Sequence, residues 1–311
     1  MCPKPGAIAG TDHFQPDLKC CTFHPTLPNY LAGAILADGG EGAARLRATI
    51  AARVGVSPWW LASPRKYRLL LTASQNAAFG KAPSLLCPYF ERTSARCTIW
   101  RHREAVCATF FCKYERGAVG RASWKALQGY ITHLEMSFGE DAVRALAPDA
   151  VPEGVKPGTL TREDLEDRPP GDETYAKMWG PWAGREEELY RAAHAHVGAL
   201  SGDDVSRISG DRGAELLAAF SAAHDEAVAP VLRATLRKNP DMDESPADGG
   251  VTVATYSSYD PVHLTADLWA IVGLFDGASP VADVRARLRT EHDVVVPDEL
   301  LLELQNRRVL T

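Results

Sequence analysis

The spacing of apolar positions along the chain predicts a mainly helical protein. Apolar residues between 29 and 55 recur at helical intervals on both sides of Gly39-Gly40, which predicts two helices with a break between them. The same periodicity predicts further helices over 98–115, 122–146, 184–199 and 211–238.

The last sixty residues carry a different pattern. Residues 251–256 alternate and are rich in β-forming side chains, which predicts a strand. Thr265 is expected to cap a first helix, Ser279-Pro280 to open a second, and Pro297-Asp298 to open a third. This part of the chain is therefore expected to be a small α/β unit.

Prolines, glycines and acidic residues indicate where the chain is divided. The segment 147–175 holds five prolines and many acids, and predicts a linker or an acidic surface loop. We therefore expect four regions. They are a cysteine-rich metal-binding domain (1–146), the Pro-rich acidic linker (147–175), a helical segment (176–240) and the small C-terminal domain (250–311).

The seven cysteines carry the most specific chemical signal, since all of them lie in the first 112 residues. An odd number argues against a fully paired disulfide framework, and clustered cysteines outside a secreted protein point to metal binding or catalysis. The sequence contains no Cys-x-x-Cys, so an ordinary zinc finger is disfavoured and the fold must assemble the site. The candidate ligands are Cys20, Cys21, Cys87, Cys97, Cys107 and Cys112, with Cys2 and His24 as further candidates.

Iron and zinc are both open as the metal. Six or seven cysteines exceed what one zinc ion uses, and soft thiolates suit an iron–sulfur cluster, so an iron–sulfur cluster is the first expectation and zinc the second. Two alternatives without metal are also open, namely free structural cysteines and a nucleophilic Cys107 activated by Arg101 and Arg103.

Cys107 and Cys112 are five residues apart and cannot share one helix face, so a helix there must end between them or they serve different centres. Glu135 is expected on a solvated helix face.

The segment from Cys97 to Phe110, Cys-Thr-Ile-Trp-Arg-His-Arg-Glu-Ala-Val-Cys-Ala-Thr-Phe, resembles the signature of the YkgJ-type family of zinc- or iron-chelating cysteine-cluster proteins. Cys87-Pro88, Arg103 and the upstream pair Cys20-Cys21 stand at matching places. The chain departs from that pattern in having Trp100 for tyrosine, Glu104 for proline and no upstream Cys-x-x-Cys. The resemblance spans about residues 18–113 and implies metal or iron–sulfur binding, without a particular reaction.

Residues 250–311 are similar in pattern and length to the small winged-helix units of PqqD-like peptide-binding domains. That similarity implies a winged-helix-like unit that holds a peptide or protein strand. Two functions follow as hypotheses. The chain is a cysteine-ligated redox or modifying component that acts on a peptide, a protein or a small substrate, or it is a zinc-stabilised, non-catalytic binding or adaptor protein that uses the C-terminal unit.

Composition and charge limit the classes of partner that we expect for this protein. Apolar residues make up 45% of the chain and charged residues 24%, as in ordinary globular proteins, and the sequence has no apolar run long enough for a membrane helix. The first residues lack the apolar core of a signal peptide, which predicts a cytoplasmic protein with no membrane partner. The net charge is −6 and the basic residues form no run, so no nucleic-acid partner is expected.

Overall fold

The computed structural model describes residues 14–75, 77–151 and 162–311, which form two compact units. We call Phe14–Thr109 together with Gln128–Glu215 the N-terminal unit. The C-terminal unit comprises Phe110–Leu127 and Leu216–Thr311. Among the candidate ligands, Cys2 lies outside the described residues.

The first two helices of the N-terminal unit are α1 (Asn29–Asp38) and α2 (Gly40–Ala52), which confirms the predicted break. Gly39 lies between them with a φ of +74°, a conformation that side-chain-bearing residues rarely adopt. The buried Asn29 fixes the start of α1, because its amide nitrogen donates to the carbonyl oxygens of Pro58 and Gly139.

The other elements of this unit up to residue 109 are short. They are β1 (Leu27–Pro28) paired with β2 (Trp60–Leu61), α3 (Arg65–Ala73), β3 (Phe90–Glu91) paired with β4 (Arg96–Cys97), and α4 (Ala105–Thr109).

The continuous helix predicted over 98–115 is wrong. A 3-10 turn spans Trp100–His102, Arg103 has an extended backbone (φ −67°, ψ 136°), and α4 begins only after Glu104. Helix α4 ends at Thr109, between Cys107 and Cys112. Of the two alternatives for this pair, a helix end between them or service in different centres, the first is thus confirmed.

Five more helices lie in the described region between residues 117 and 228. They are α5 (Gly117–Leu146), α6 (Arg162–Leu165), α7 (Asp172–Trp179), α8 (Glu186–Gly198) and α9 (Gly202–Val228). The unit boundaries fall within α5 and α9. Part of the predicted linker 147–175 lies outside the described residues, and α6 and the start of α7 lie within the rest.

Helix α9 consists of two helical parts that meet at Gly210, whose backbone is non-helical (φ 59°, ψ −164°). The second part begins at Asp211, as predicted, but it ends well before residue 238. The helix ends at Val228, two residues before Pro230, which cannot donate a backbone hydrogen bond.

The core of the N-terminal unit is formed by α1, α2, α7, α8 and the short elements. Helix α1 packs so closely on α8 that a Cβ on Gly33 would lie 1.9 Å from the carbonyl oxygen of Tyr190. The largest fully buried side chains here include Trp179, Tyr89 and Tyr190. Cys87 belongs to this core, and Cys21 and Cys97 pack against it, so the cysteines lie at its margin.

The C-terminal unit has its own core and small sheets. Its strands are β5 (Thr235–Arg237), β6 (Asp243–Ala247), β7 (Gly250–Ala254), β8 (Val262–Thr265) and β9 (Asp276–Pro280). β6, β7 and β8 form an antiparallel sheet in that order, and β5 pairs with β9.

The three helices of this unit are present, as the sequence predicts. They are α10 (Ala266–Val272), α11 (Val281–His292) and α12 (Asp298–Asn306). The second helix begins one residue later than expected, because Ser279 and Pro280 end β9 and Pro280 is the N-cap residue. The Thr265 side chain accepts the backbone N–H of Leu268, as predicted for a cap. The predicted strand at 251–256 corresponds to β7.

The fold is thus mainly α-helical with small antiparallel sheets, as predicted. The boundaries of the four predicted regions and the winged-helix-like character of the C-terminal unit stay predictions. Within the described part of the chain, no helix has the length and apolarity to cross a membrane.

Candidate metal centre

Three backbone segments bring Cys21, Cys87 and Cys97 together. The backbone N–H of Cys87 donates to the carbonyl oxygen of Cys21 at 2.8 Å. The carbonyl oxygen of Cys87 accepts from Phe90 at 3.1 Å, and Phe90 is the β3 residue that pairs with Cys97 in β4. The turn that carries Cys20-Cys21 is therefore tied to the β3–β4 hairpin through Cys87.

Five of the predicted ligands affect one another's pKa. The Cys21 thiol donates a hydrogen bond to Cys20, which lowers the pKa of Cys20 and raises that of Cys21. The thiolate charges of Cys87 and Cys97 raise the pKa of Cys21 further, after the effect of burial. Cys107 joins the same group, because the charges of Cys87 and Cys20 add to burial and to Glu104 in raising its pKa. We call Cys20, Cys21, Cys87, Cys97 and Cys107 the thiol cluster.

Burial is the main cause of the raised pKa of three thiols of the cluster. It raises the pKa of Cys87 to about 12, and it is also the main cause of the raised pKa of Cys97 and of Cys107. These three thiols therefore keep their protons at neutral pH unless a cation replaces them, because a desolvated thiolate needs a positive partner.

Positive side chains lie near the cluster. The charge of Arg103 acts to lower the pKa of both Cys20 and Cys97, and Lys19 does the same for Cys20. Arg45 lowers the pKa of Cys87 and donates through Nη1 to the carbonyl oxygens of Pro88 (2.7 Å) and Phe90 (3.0 Å). The surroundings thus offset part of the negative charge that several thiolates would create.

Two buried carboxyl groups lie at the start of α4, the helix that carries Cys107, and the sequence did not single out either of them for the site. Glu104 is 5% exposed and caps α4, because its Oε2 and Oε1 accept the backbone N–H groups of Val106 and Cys107. Glu135 in α5 is 8% exposed and accepts the N–H of Ala105. The expectation that Glu135 lies on a solvated face is wrong, because α5 carries this residue against the start of α4.

His24 lies next to the cluster in a layer of aromatic rings. Its ring centroid is 5.6 Å from that of Tyr67 and 6.4 Å from that of Tyr89, and burial lowers its pKa. The Tyr67 hydroxyl accepts the His24 backbone N–H and donates to the Thr22 carbonyl oxygen, while the charges of Cys87 and Cys107 contribute to raising its pKa after burial. Tyr67 thus links His24 to the thiol cluster, and the role of His24 as a ligand stays a prediction.

Cys112 belongs to the C-terminal unit, within Phe110–Leu127. Its participation in the same centre as the other cysteines stays a prediction, as does that of Cys2.

The residues present fit a thiolate-bound metal in their donor chemistry. Five soft sulfur donors interact at the margin of a core, and one buried donor near them, Nε of Arg103, has no hydrogen-bond partner among the described residues. In the described part of the chain, however, no three His, Cys, Asp or Glu side chains are already arranged to hold a metal ion. The side chains of the thiol cluster would therefore have to rearrange in order to bind one.

A cleft of about 550 Å³ lies beside the cluster in the N-terminal unit. Cys97 lines it, together with Trp100, the Asp38–His102 pair (2.8 Å apart) and the glycine-rich start of α2. Trp100 is 63% exposed, so one large aromatic surface borders the cleft. Cys97 is therefore the thiol of the cluster that borders the cleft.

The chain matches no known family model, no curated protein and no solved structure.

Proposed function

We propose that the N-terminal unit holds a thiolate-ligated metal centre, with an iron–sulfur cluster as the first choice of cofactor. The observation that carries the proposal is the set of backbone hydrogen bonds that brings Cys21, Cys87 and Cys97 together from distant parts of the sequence. Cys20 and Cys107 lie near enough to these thiols to affect the same group of pKa values.

The number and type of donors favour iron–sulfur over a single zinc ion. A cubane cluster needs about four thiolates, and the thiol cluster supplies five without Cys112 or Cys2. Buried aromatic residues such as Tyr89 and Phe90 flank it and would limit the access of water to a cluster. When bound, such a cluster would supply one-electron redox chemistry.

The chain's own residues would hold and screen this centre. The thiol cluster provides the ligands, Arg45, Arg103 and Lys19 provide positive charge, and Glu104 fixes the backbone of the helix that carries Cys107. The cleft at Cys97 supports a role as a redox or modifying component that acts on a peptide, a protein or a small substrate, because it gives a reactant access to one side of the centre.

A zinc-stabilised binding or adaptor protein is the second candidate. The observation that favours it is the separate core of the C-terminal unit, with β6 at the edge of its three-stranded sheet and largely exposed. An exposed edge strand offers unpaired backbone groups to an extended peptide. In this case the metal would only stabilise the N-terminal unit.

Metal analysis of the anaerobically purified full-length protein distinguishes the two candidates. The first predicts a coloured protein with stoichiometric iron and acid-labile sulfide, which Cys97→Ser and Cys107→Ser lose. Cys112→Ser is the matched comparison, and it should retain the metal because the thiol cluster alone has enough donors. A colourless protein with one zinc ion would favour the second candidate, and a protein without bound metal would contradict both.

A further inference from the structure

Arg103 is held in place by two contacts that leave part of its side chain unused. Its Nη1 donates to the carbonyl oxygen of Cys107 at 3.0 Å, across the first turn of α4. This bond ties the guanidinium to the backbone of a cysteine in the thiol cluster.

The second contact holds the guanidinium against an aromatic ring. Its central carbon lies 3.5 Å from the centre of the Trp100 ring, the distance of a close cation–π stack. Since Trp100 is 63% exposed, it gains little from burial there, and its ring serves Arg103 as a platform at the rim of the cleft.

The remaining donor of interest is Nε. It is buried and has no hydrogen-bond partner among the described residues. An unsatisfied buried donor destabilises the folded state, and Arg103 would avoid this cost if its side chain turned to solvent. The stack on Trp100 and the bond to Cys107 prevent that turn.

The charge of the same guanidinium reaches two thiols of the cluster, those of Cys20 and Cys97, and favours their anionic forms. The unused donor is therefore in a neighbourhood where anionic sulfur would form. Hydrogen bonds from N–H groups to metal-bound sulfur are a known means of stabilising such centres and setting their potentials.

We propose that Arg103 is a positioning residue whose Nε–H is reserved for an anionic sulfur of the metal centre. The inference rests on the proposed function, because it requires a metal bound by the thiol cluster. It predicts that Arg103 slows the loss of metal and makes the reduction potential less negative, since its charge and hydrogen bond stabilise the more negative, reduced state.

The test uses the full-length protein, reconstituted anaerobically with ferrous iron and sulfide, and in parallel with Co²⁺ as a spectroscopic probe of thiolate ligation. Arg103→Gln removes the charge and the Nε–H. Arg103→Lys keeps the charge but lacks the planar group, and it guards against a folding defect in the glutamine variant. Arg101→Gln is the control, because Arg101 lies two residues away with 82% of its side chain exposed.

We expect Arg103→Gln to release metal to a chelator about 10-fold faster or more, the usual scale for residues that support metal ligands. Its iron-loaded form should have a more negative midpoint potential, and Arg103→Lys should recover part of that shift. Arg101→Gln should match the wild type in both measurements.

Two results would overturn the inference, and they differ in what else they affect. If the wild type binds metal and both Arg103 variants behave like Arg101→Gln, the role of Arg103 is wrong while the proposed function stands. If the wild type binds neither iron with sulfide nor Co²⁺, both are wrong.

Discussion

Glu104 accepts the backbone N–H of Cys107 at 2.8 Å, so a buried carboxylate fixes the position of one thiol of the cluster. The same carboxylate accepts from Val106 at 2.7 Å, which makes it the N-terminal cap of α4. The short helix that presents Cys107 thus depends on a side chain at the position where the YkgJ-type pattern has proline.

Replacement of Glu104 is expected to destabilise α4. Glu104→Ala removes both accepting oxygens and should lower the free energy of unfolding by about 1–2 kcal/mol, the usual cost of losing a cap. Glu104→Gln keeps one accepting oxygen and should lose less. Urea unfolding of the metal-free proteins checks this, and equal stability of the alanine variant and the wild type would show that the cap contributes nothing.

Glu135 is expected to make stability depend on pH. Burial raises its pKa to about 8 in the folded protein, whereas an unfolded glutamate titrates near 4.5. The folded state therefore binds more protons between these values, and the free energy of unfolding should fall as pH rises from about 4.5 to about 8.

The matched variants for this prediction are Glu135→Gln and Glu140→Gln. The first cannot ionise but still accepts from Ala105, so it should be more stable than the wild type by about 1–3 kcal/mol at pH 8 and should lose this part of the pH dependence. Glu140 lies in the same helix and is exposed, so its replacement should change little. Parallel pH profiles of Glu135→Gln and the wild type, from urea unfolding, would contradict the prediction.

We expect Gly42 to be required for the close approach of α2 to Thr98, the residue after Cys97. A Cβ at this position would lie 2.6 Å from the carbonyl oxygen of Thr98, a backbone atom that cannot move without shifting its neighbours. Gly42→Ala should therefore cost about 1–3 kcal/mol. Gly198→Ala, in a helix with open space around the added methyl group, should be neutral or slightly stabilising. Thermal unfolding measures both, and equal effects of the two changes would rule out the close approach.

Metal binding should release protons and strengthen with pH. The pKa of Cys87 is about 12, and those of Cys97 and Cys107 are also raised, so these thiols are protonated at neutral pH and must ionise to bind. Titration of the reduced, metal-free protein with Zn²⁺ in a weak buffer should show acidification, and the affinity should increase between pH 6 and pH 8. Binding without proton release would mean that other ligands hold the metal.

Much of the fold could be predicted from local patterns, because the helices at 29–52, 186–198 and 266–306 follow apolar periodicity and capping residues closely. The segment after Pro230 could not, since residues 235–237 are recruited into a strand by pairing with β9, and tertiary contacts override the preference for helix. The burial of Glu135 could not be predicted from the sequence either, because it depends on where α5 packs against α4.

The cysteines themselves could be chosen from the sequence, but the groups around them could not. Tyr67 and Glu135 act through contacts between residues far apart in the chain, such as Glu135 with Ala105, and no spacing rule predicts these. Glu104 caps α4 through neighbouring residues, but the continuous helix predicted over 98–115 did not include a helix start at that position. Arg103 was visible as part of a sequence pattern, yet its unpaired Nε and its stack on Trp100 emerge only from the fold.

X-ray absorption spectroscopy of the anaerobically purified protein at the iron and zinc edges tests the central claim most directly. The account predicts a metal surrounded by sulfur at about 2.3 Å, lost on replacement of Cys97 or Cys107 by serine. For the first-choice cofactor it also predicts iron neighbours in the same spectrum. A shell of only nitrogen and oxygen ligands would contradict the account, since it would mean that the thiol cluster does not hold the metal.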